Sequence, residues 1–152
     1  MIDSHCHLQL CKDDPNAILD RAYRHGITDI IQVATDIETA KWSLELSKNH
    51  KSQVRVHPTA GLYPSRAESD WKSMTTELKT LLASDSFVAV GEVGIDLYHD
   101  TSFTERQKDM LKVQLELALS HNLPLIFHIR KSFDEVLKLI EPIVHDDHFS
   151  AV

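Results

Sequence analysis

Asp3-Ser4-His5-Cys6-His7 sets two imidazoles two residues apart. Alternate side chains of an extended segment share a face, so His5 and His7 can converge on one cation. Cys6 then points the other way, toward whatever packs behind the strand. Taken alone, the pattern is short, and two ordinary histidines would read the same. A second cluster, Gly91-Glu92-Val93-Gly94-Ile95-Asp96, follows the apolar run Phe87–Val90 and holds two of the chain's four glycines. Glycine permits close backbone approach and positive φ, so two of them here point to a shaped site. An acid at the end of a buried strand is costly unless paired or metal-bound. The bland alternative is an exposed loop in which Asp96 caps the next helix. Third comes Ile126-Phe127-His128-Ile129-Arg130, an apolar strand ending in a potential ligand and an arginine suited to carboxylate or phosphate. Its alternative is a satisfied histidine beside a solvated arginine. Gly61-Leu62-Tyr63-Pro64 adds a turn carrying a polar aromatic. Two histidines, a glutamate and a further histidine form a mixed hard and borderline donor set, the set of a divalent-metal hydrolase.

These clusters need a frame that brings them to one place. Apolar runs at Ile2, Asp29–Ala34, Val54–Ala60, Phe87–Val90 and Leu125–Phe127 alternate with segments of helical spacing. Ile18, Leu19, Ala22 and Tyr23 follow an N-cap signal at Asp14 with Pro15 at the first helical position. Ala40, Leu44 and Leu46 mark a second helix, and Trp71, Met74, Leu78, Leu81 and Leu82 a third. Met110 through Leu119 mark a long fourth, and Val136, Leu137, Leu139 and Ile140 a fifth. This alternation predicts βαβ units and a parallel sheet within one domain, residues 1–152. Every candidate cluster is expected just past the C-terminal end of a strand, the edge where parallel α/β folds build sites. Two closures fit: a flavodoxin-like doubly wound sheet, or five of the eight units of a (β/α)8 barrel.

The chain has 152 residues, 42% hydrophobic and 26% charged, as expected of a globular domain. Its net charge of −7 leaves no basic footprint for binding nucleic acid by charge alone. No segment approaches the ~20 apolar residues that span a bilayer, so no membrane association is expected. The opening residues lack a basic stretch or apolar run, so no secretory signal is expected. Cys6 and Cys11 are the only cysteines, which accords with a reducing, cytoplasmic setting.

Together the motifs resemble the TatD family of metal-dependent hydrolases. The resemblance rests on Asp3-Ser4-His5-Cys6-His7-Leu8, Val90-Gly91-Glu92-Val93-Gly94-Ile95-Asp96 and Leu123-Pro124-Leu125-Ile126-Phe127-His128-Ile129-Arg130. The stretch from Glu105-Arg106-Gln107 to Gln114-Leu115-Glu116-Leu117-Ala118 is similar to the family's fourth helix. It implies a TIM-type (β/α)8 barrel, here about five βα units of it. The implied activity is hydrolysis of DNA phosphodiesters, of deoxyribonuclease type with 3′→5′ exonuclease character, supported by two magnesium or manganese ions, with zinc as an option. Carried over by position, His5 and His7 hold one metal, Glu92 bridges, and His128 belongs to the second. Arg130 contacts phosphate or orients the site, and Asp96 supports it. Where the family usually carries a histidine at the phosphate, this chain has Tyr63, so substrate contacts there are expected to differ.

The family's further metal-binding histidine after the sixth strand, and its aspartate after the eighth, have no counterpart here. The chain's own strand spacing puts the next strand end beyond Val152, so the chain is expected to stop at or just inside that strand. His145, Asp146, Asp147 and His148 read as the polar loop before it. For these residues alone the expectation is little or no turnover, with self-association through an open sheet edge. Alternatives on the same scaffold are an ester or amide hydrolase, such as an aminoacyl-tRNA deacylase, and an inactive metal-binding fragment.

Overall fold

Five strands alternate with five helices in the computed structural model, which describes residues 1–84, 86–98 and 100–152. In chain order they are β1 (Ile2–Cys6), α1 (Pro15–Arg24), β2 (Asp29–Gln32), α2 (Ile37–Asn49), β3 (Arg55–Pro58), α3 (Trp71–Leu82), β4 (Val90–Asp96), α4 (Thr104–Ser120), β5 (Leu125–Arg130) and α5 (Phe133–Ile140). The helix starts follow local chemistry. Asp14 accepts the Ala17 N–H ahead of Pro15, Asp36 and Thr39 form a capping box, and Asp70 accepts the Ser73 N–H. Each satisfies a donor that the first helical turn leaves without an intrahelical partner.

All strand pairs are parallel, and their order is consecutive. β1, β2 and β3 form one sheet, β4 and β5 another. A parallel bridge between Ala60 and Val90 links the two. A doubly wound sheet must reverse strand order partway, and this one does not. Because parallel crossovers are right-handed, consecutive order keeps the helices on one face. On that face Leu19 packs with Ile30, Val54 and Val56. Leu78, Met110, Leu111 and Leu115 pack there against Val90, Val93 and Ile95. The opposite face carries a smaller apolar group of Val33, Ala89 and Ile126. Leu125 bridges to Ala151 in parallel beyond β5.

The expected strand ends need correcting. The glycine-containing stretch Gly91–Asp96 is not past the strand but is the strand, and His128 and Arg130 lie inside β5. Two glycines and two acids resemble a turn, yet Val93 and Ile95 are fully buried against the helical layer and carry the strand on. Asp96 therefore caps no helix, and α4 begins after Phe103 with no side-chain cap.

At the other end of the sheet, Asp29 is buried and takes a bidentate pair from Arg55, at 2.6 and 2.8 Å. His57 Nε2 lies 2.9 Å from the same carboxylate. Hydrogen bonds from Arg55, then His57 and Thr28, hold the Asp29 carboxyl well below the usual carboxylate range. A depressed folded value stabilises the fold above the unfolded value, and this stabilisation fades as pH falls toward the folded one. Asp29→Asn is thus expected to lower the melting temperature at pH 7, with the gap to wild type narrowing below pH ~4. Circular dichroism melts at the two pH values check this; an equal gap at both would refute it.

Candidate metal centre

Two register shifts aim the key side chains. β1 pairs Asp3 with Ile30 and then Cys6 with Gln32, so the chain around Ser4 and His5 carries an extra residue. β4 pairs Gly91 with Ile126 and then Val93 with Phe127, which leaves Glu92 as the extra residue. Such bulges re-aim side chains and concentrate next to functional sites. The Glu92 N–H donates to the Ala34 carbonyl at 2.7 Å, and its side chain turns toward β1.

There it meets both N-terminal histidines. His5 Nε2 and His7 Nε2 are 3.1 Å apart, and they lie 3.9 and 3.3 Å from Glu92 Oε2. One donor atom from each of the three residues falls within 4.8 Å of the others. The Val33 carbonyl lies 2.9 Å from His7 Nδ1, which places the ring proton there and turns the Nε2 lone pair inward. Two imidazole nitrogens facing each other and a carboxylate need a proton or a cation between them. Two nitrogens and a carboxylate oxygen also suit a divalent ion, so these residues fit one. As the alternation predicts, Cys6 turns away and packs against the buried cluster of Leu8, Leu19, Ile30, Val54 and Val56, and its thiol is pushed up to about 12, chiefly by burial.

His128 stands in a second, connected unit. Its Nδ1 lies 3.0 Å from Glu92 Oε1 and its Nε2 3.0 Å from Asp96 Oδ2. The Tyr63 hydroxyl is 3.1 Å from the same Nε2 and donates to Asp96 Oδ2 at 3.3 Å. Glu92 thus faces His5 and His7 with one oxygen and His128 with the other. Burial raises the Glu92 carboxyl, but hydrogen bonds from His128 and His7 outweigh it and hold it at about 2. Reciprocally, the Glu92 hydrogen bond, against some burial, raises both His7 and His128 above the usual imidazole value. For Asp96, burial is outweighed by the Tyr98 N–H and His128, and its carboxyl is lowered. Burial and the nearby Asp96 and Glu92 charges push the Tyr63 phenol up to about 12, so it stays a neutral donor.

Arg130 is placed apart from the donors. It is stacked 3.7 Å over the Tyr98 ring. It lines a cleft of about 210 Å³ with Tyr63, Asp96 and Gln107. A second cleft, of about 370 Å³, opens over His7, Thr35, Tyr63, Arg66, Glu92 and His128. His148 pairs with Asn122 before β5, at the opposite end of that strand from His128.

The supporting roles of several residues are not assigned by the sequence, where Gln107 and Gln114 enter only within the stretch similar to the family's fourth helix. Gln114 is fully buried and clamps both backbone groups of Leu62, accepting its N–H at 2.7 Å and donating to its carbonyl at 3.1 Å. Gln107 does the same for Asp96, at 2.8 and 3.2 Å. Two glutamines seven residues apart on the core-facing side of α4 were the available signal. Buried Gln32 accepts the Leu8 N–H at 2.9 Å and donates to Gln9, which donates to the Val33 carbonyl. Nothing in the sequence singled out Arg66.

Residues 2–152 match the family model described as TatD related DNase. The uncharacterized metal-dependent hydrolase YjjV of Escherichia coli is 34% identical over 139 residues, covering 89% of this chain and 52% of that protein. The 3′-5′ ssDNA/RNA exonuclease TatD of Musicola paradisiaca is 26% identical over 131 residues, covering 86% and 49%. The crystal structure of the E. coli YjjV protein, a TatD homolog, matches with a TM-score of 0.84 over 93% of this chain and 55% of that one. A TatD family hydrolase of Entamoeba histolytica matches at 0.75 with 25% identity, over 95% and 55%. The chain spans about half the length of the curated relatives it matches.

Proposed function

The chain belongs to the TatD-related DNase family, and on that premise we propose that it forms the metal-binding wall of a TIM-type barrel that hydrolyses phosphodiester bonds of single-stranded nucleic acid from the 3′ end. The barrel is supported by the consecutive parallel strands and by the bridge from Leu125 to Ala151 at the place of a sixth strand. The substrate is supported by relatives named as 3′-5′ ssDNA/RNA exonucleases. The observation that carries the reading is the convergence of His5, His7 and Glu92 from β1 and β4.

Each residue has a part in that reading. His5, His7 and Glu92 would hold a magnesium or manganese ion, and His128, beside Glu92, would serve a further one. Bound there, a divalent cation supplies the Lewis acid that polarises the phosphodiester, and its charge offsets the acidity of the chain. The Val33 carbonyl fixes the His7 tautomer, and Asp96 orients the His128 ring. Tyr63, neutral at working pH, lines both clefts and would turn its one hydroxyl proton from Asp96 to a phosphate oxygen when the strand binds. Arg130 meets the strand in the neighbouring cleft, beyond the donors.

The test is a single-stranded oligonucleotide labelled at its 5′ end and incubated with the full-length protein and Mn²⁺. Expected are products shortened stepwise from the 3′ end, and none after chelation by EDTA. Intact substrate under both conditions would refute the nuclease assignment.

A further inference from the structure

Arg66 sits on the 3-10 turn Pro64–Glu68, three residues past Tyr63. Its backbone N–H donates to the Tyr63 carbonyl at 2.8 Å, tying the two residues together. Its guanidinium reaches Asp36 Oδ2 at 3.3 Å. The other oxygen of Asp36 accepts the Thr39 N–H and hydroxyl, both at 2.8 Å, at the head of α2. The carboxylate that aims Arg66 is therefore itself held by a helix cap.

The rest of the guanidinium is not consumed by this tether. Arg66 Nε is buried with no hydrogen-bond partner among the described residues, and the side chain keeps 41% of its surface exposed. It lines the cleft that opens over His7, Tyr63, Glu92 and His128, and among the described residues no other lysine or arginine lines it. A guanidinium is always charged and presents five N–H donors in a planar fork that fits a phosphate. A site built around Glu92 and Asp96 repels an anionic strand, so a fixed cation beside it has an evident use.

We infer that Arg66, aimed by Asp36, grips a non-bridging phosphate oxygen of the strand lying against the His5–His7–Glu92 cluster. The inference rests on the phosphodiesterase reading above. It puts arginines on both sides of Tyr63, Arg66 over the donors and Arg130 in the neighbouring cleft.

The test is fluorescence anisotropy of a labelled, phosphorothioate-linked octathymidylate on the full-length protein with Mn²⁺, over a range of salt. Arg66→Ala is expected to weaken binding by roughly ten- to a hundredfold, the loss of a hydrogen bond to a charged group. It should also flatten the dependence of log Kd on log salt by about 0.7, the contribution of one phosphate contact on a single strand. Mn²⁺ affinity, measured by calorimetry, is expected to stay at the wild-type value. Arg66→Lys should restore the slope but not the full affinity, because a point charge lacks the fork. Asp36→Asn should lose part of the affinity, and nothing more when added to Arg66→Ala. Wild-type affinity and slope in Arg66→Ala would overturn the inference and leave the nuclease reading standing. A wild-type protein that binds Mn²⁺ but not the oligonucleotide would overturn both.

Discussion

Glu92→Gln is expected to reduce metal-dependent nuclease activity at least a hundredfold, and metal affinity with it, since even residues supporting a ligand are worth ten- to a hundredfold. Gln keeps the shape of the side chain but removes the charge that His5, His7 and His128 all face. The effect should also appear without metal. Glu92 is the main reason that His7 and His128 lie above their ordinary value of 6.5. A raised imidazole stabilises the fold fully below its unfolded value and ceases to do so as pH rises through its folded value. In Glu92→Gln both imidazoles should titrate lower, and the melting temperature should depend less on pH across neutrality. NMR titration of the histidine rings reads this directly. Unshifted rings together with wild-type activity would remove Glu92 from the centre of the site.

Gly94→Ala has the largest effect expected on stability. Gly94 has φ +147° and pairs with His128 across β4 and β5. A Cβ there would lie 2.0 Å from the His128 carbonyl oxygen. A flexible side chain could yield, but a backbone carbonyl inside a parallel pair cannot. Backbone strain and overpacking together put the cost at about 2–5 kcal/mol. For a domain of this size that is a fall in melting temperature of roughly 5–15 °C. If the variant folds, metal binding should weaken as well, because the residue displaced is His128 itself. A melting temperature within about 2 °C of wild type would show that the two strands separate more easily than their packing indicates.

Gly94 shows how far local pattern reaches. Two glycines flanking an acid after an apolar run point to close backbone approach, and Gly91 and Gly94 do pack tightly against Ile126 and His128. The same pattern misplaces the strand end, because propensity cannot count the contacts that Val93 and Ile95 make with α4. Alternation pairs His5 with His7 correctly, since two-residue periodicity is a property of the extended chain itself. It says nothing of Glu92, whose direction depends on an extra residue against a neighbouring strand 35 positions away.

The residue types and spacing by themselves determined the alternation of strands and helices, the cap at Asp14, the His5–His7 pair and the resemblance that ties these to Glu92 and His128. These follow from short-range geometry and donor chemistry, which a linear chain carries within itself. Only the tertiary structure decided that strand order is consecutive, and that Glu92 divides its two oxygens between His7 and His128. It alone set Arg130 in the neighbouring cleft and Arg66 over the donors. Those outcomes depend on which distant segments pack together, and side-chain direction at a bulge or a short turn is set by the partner across the gap rather than by the neighbours in sequence.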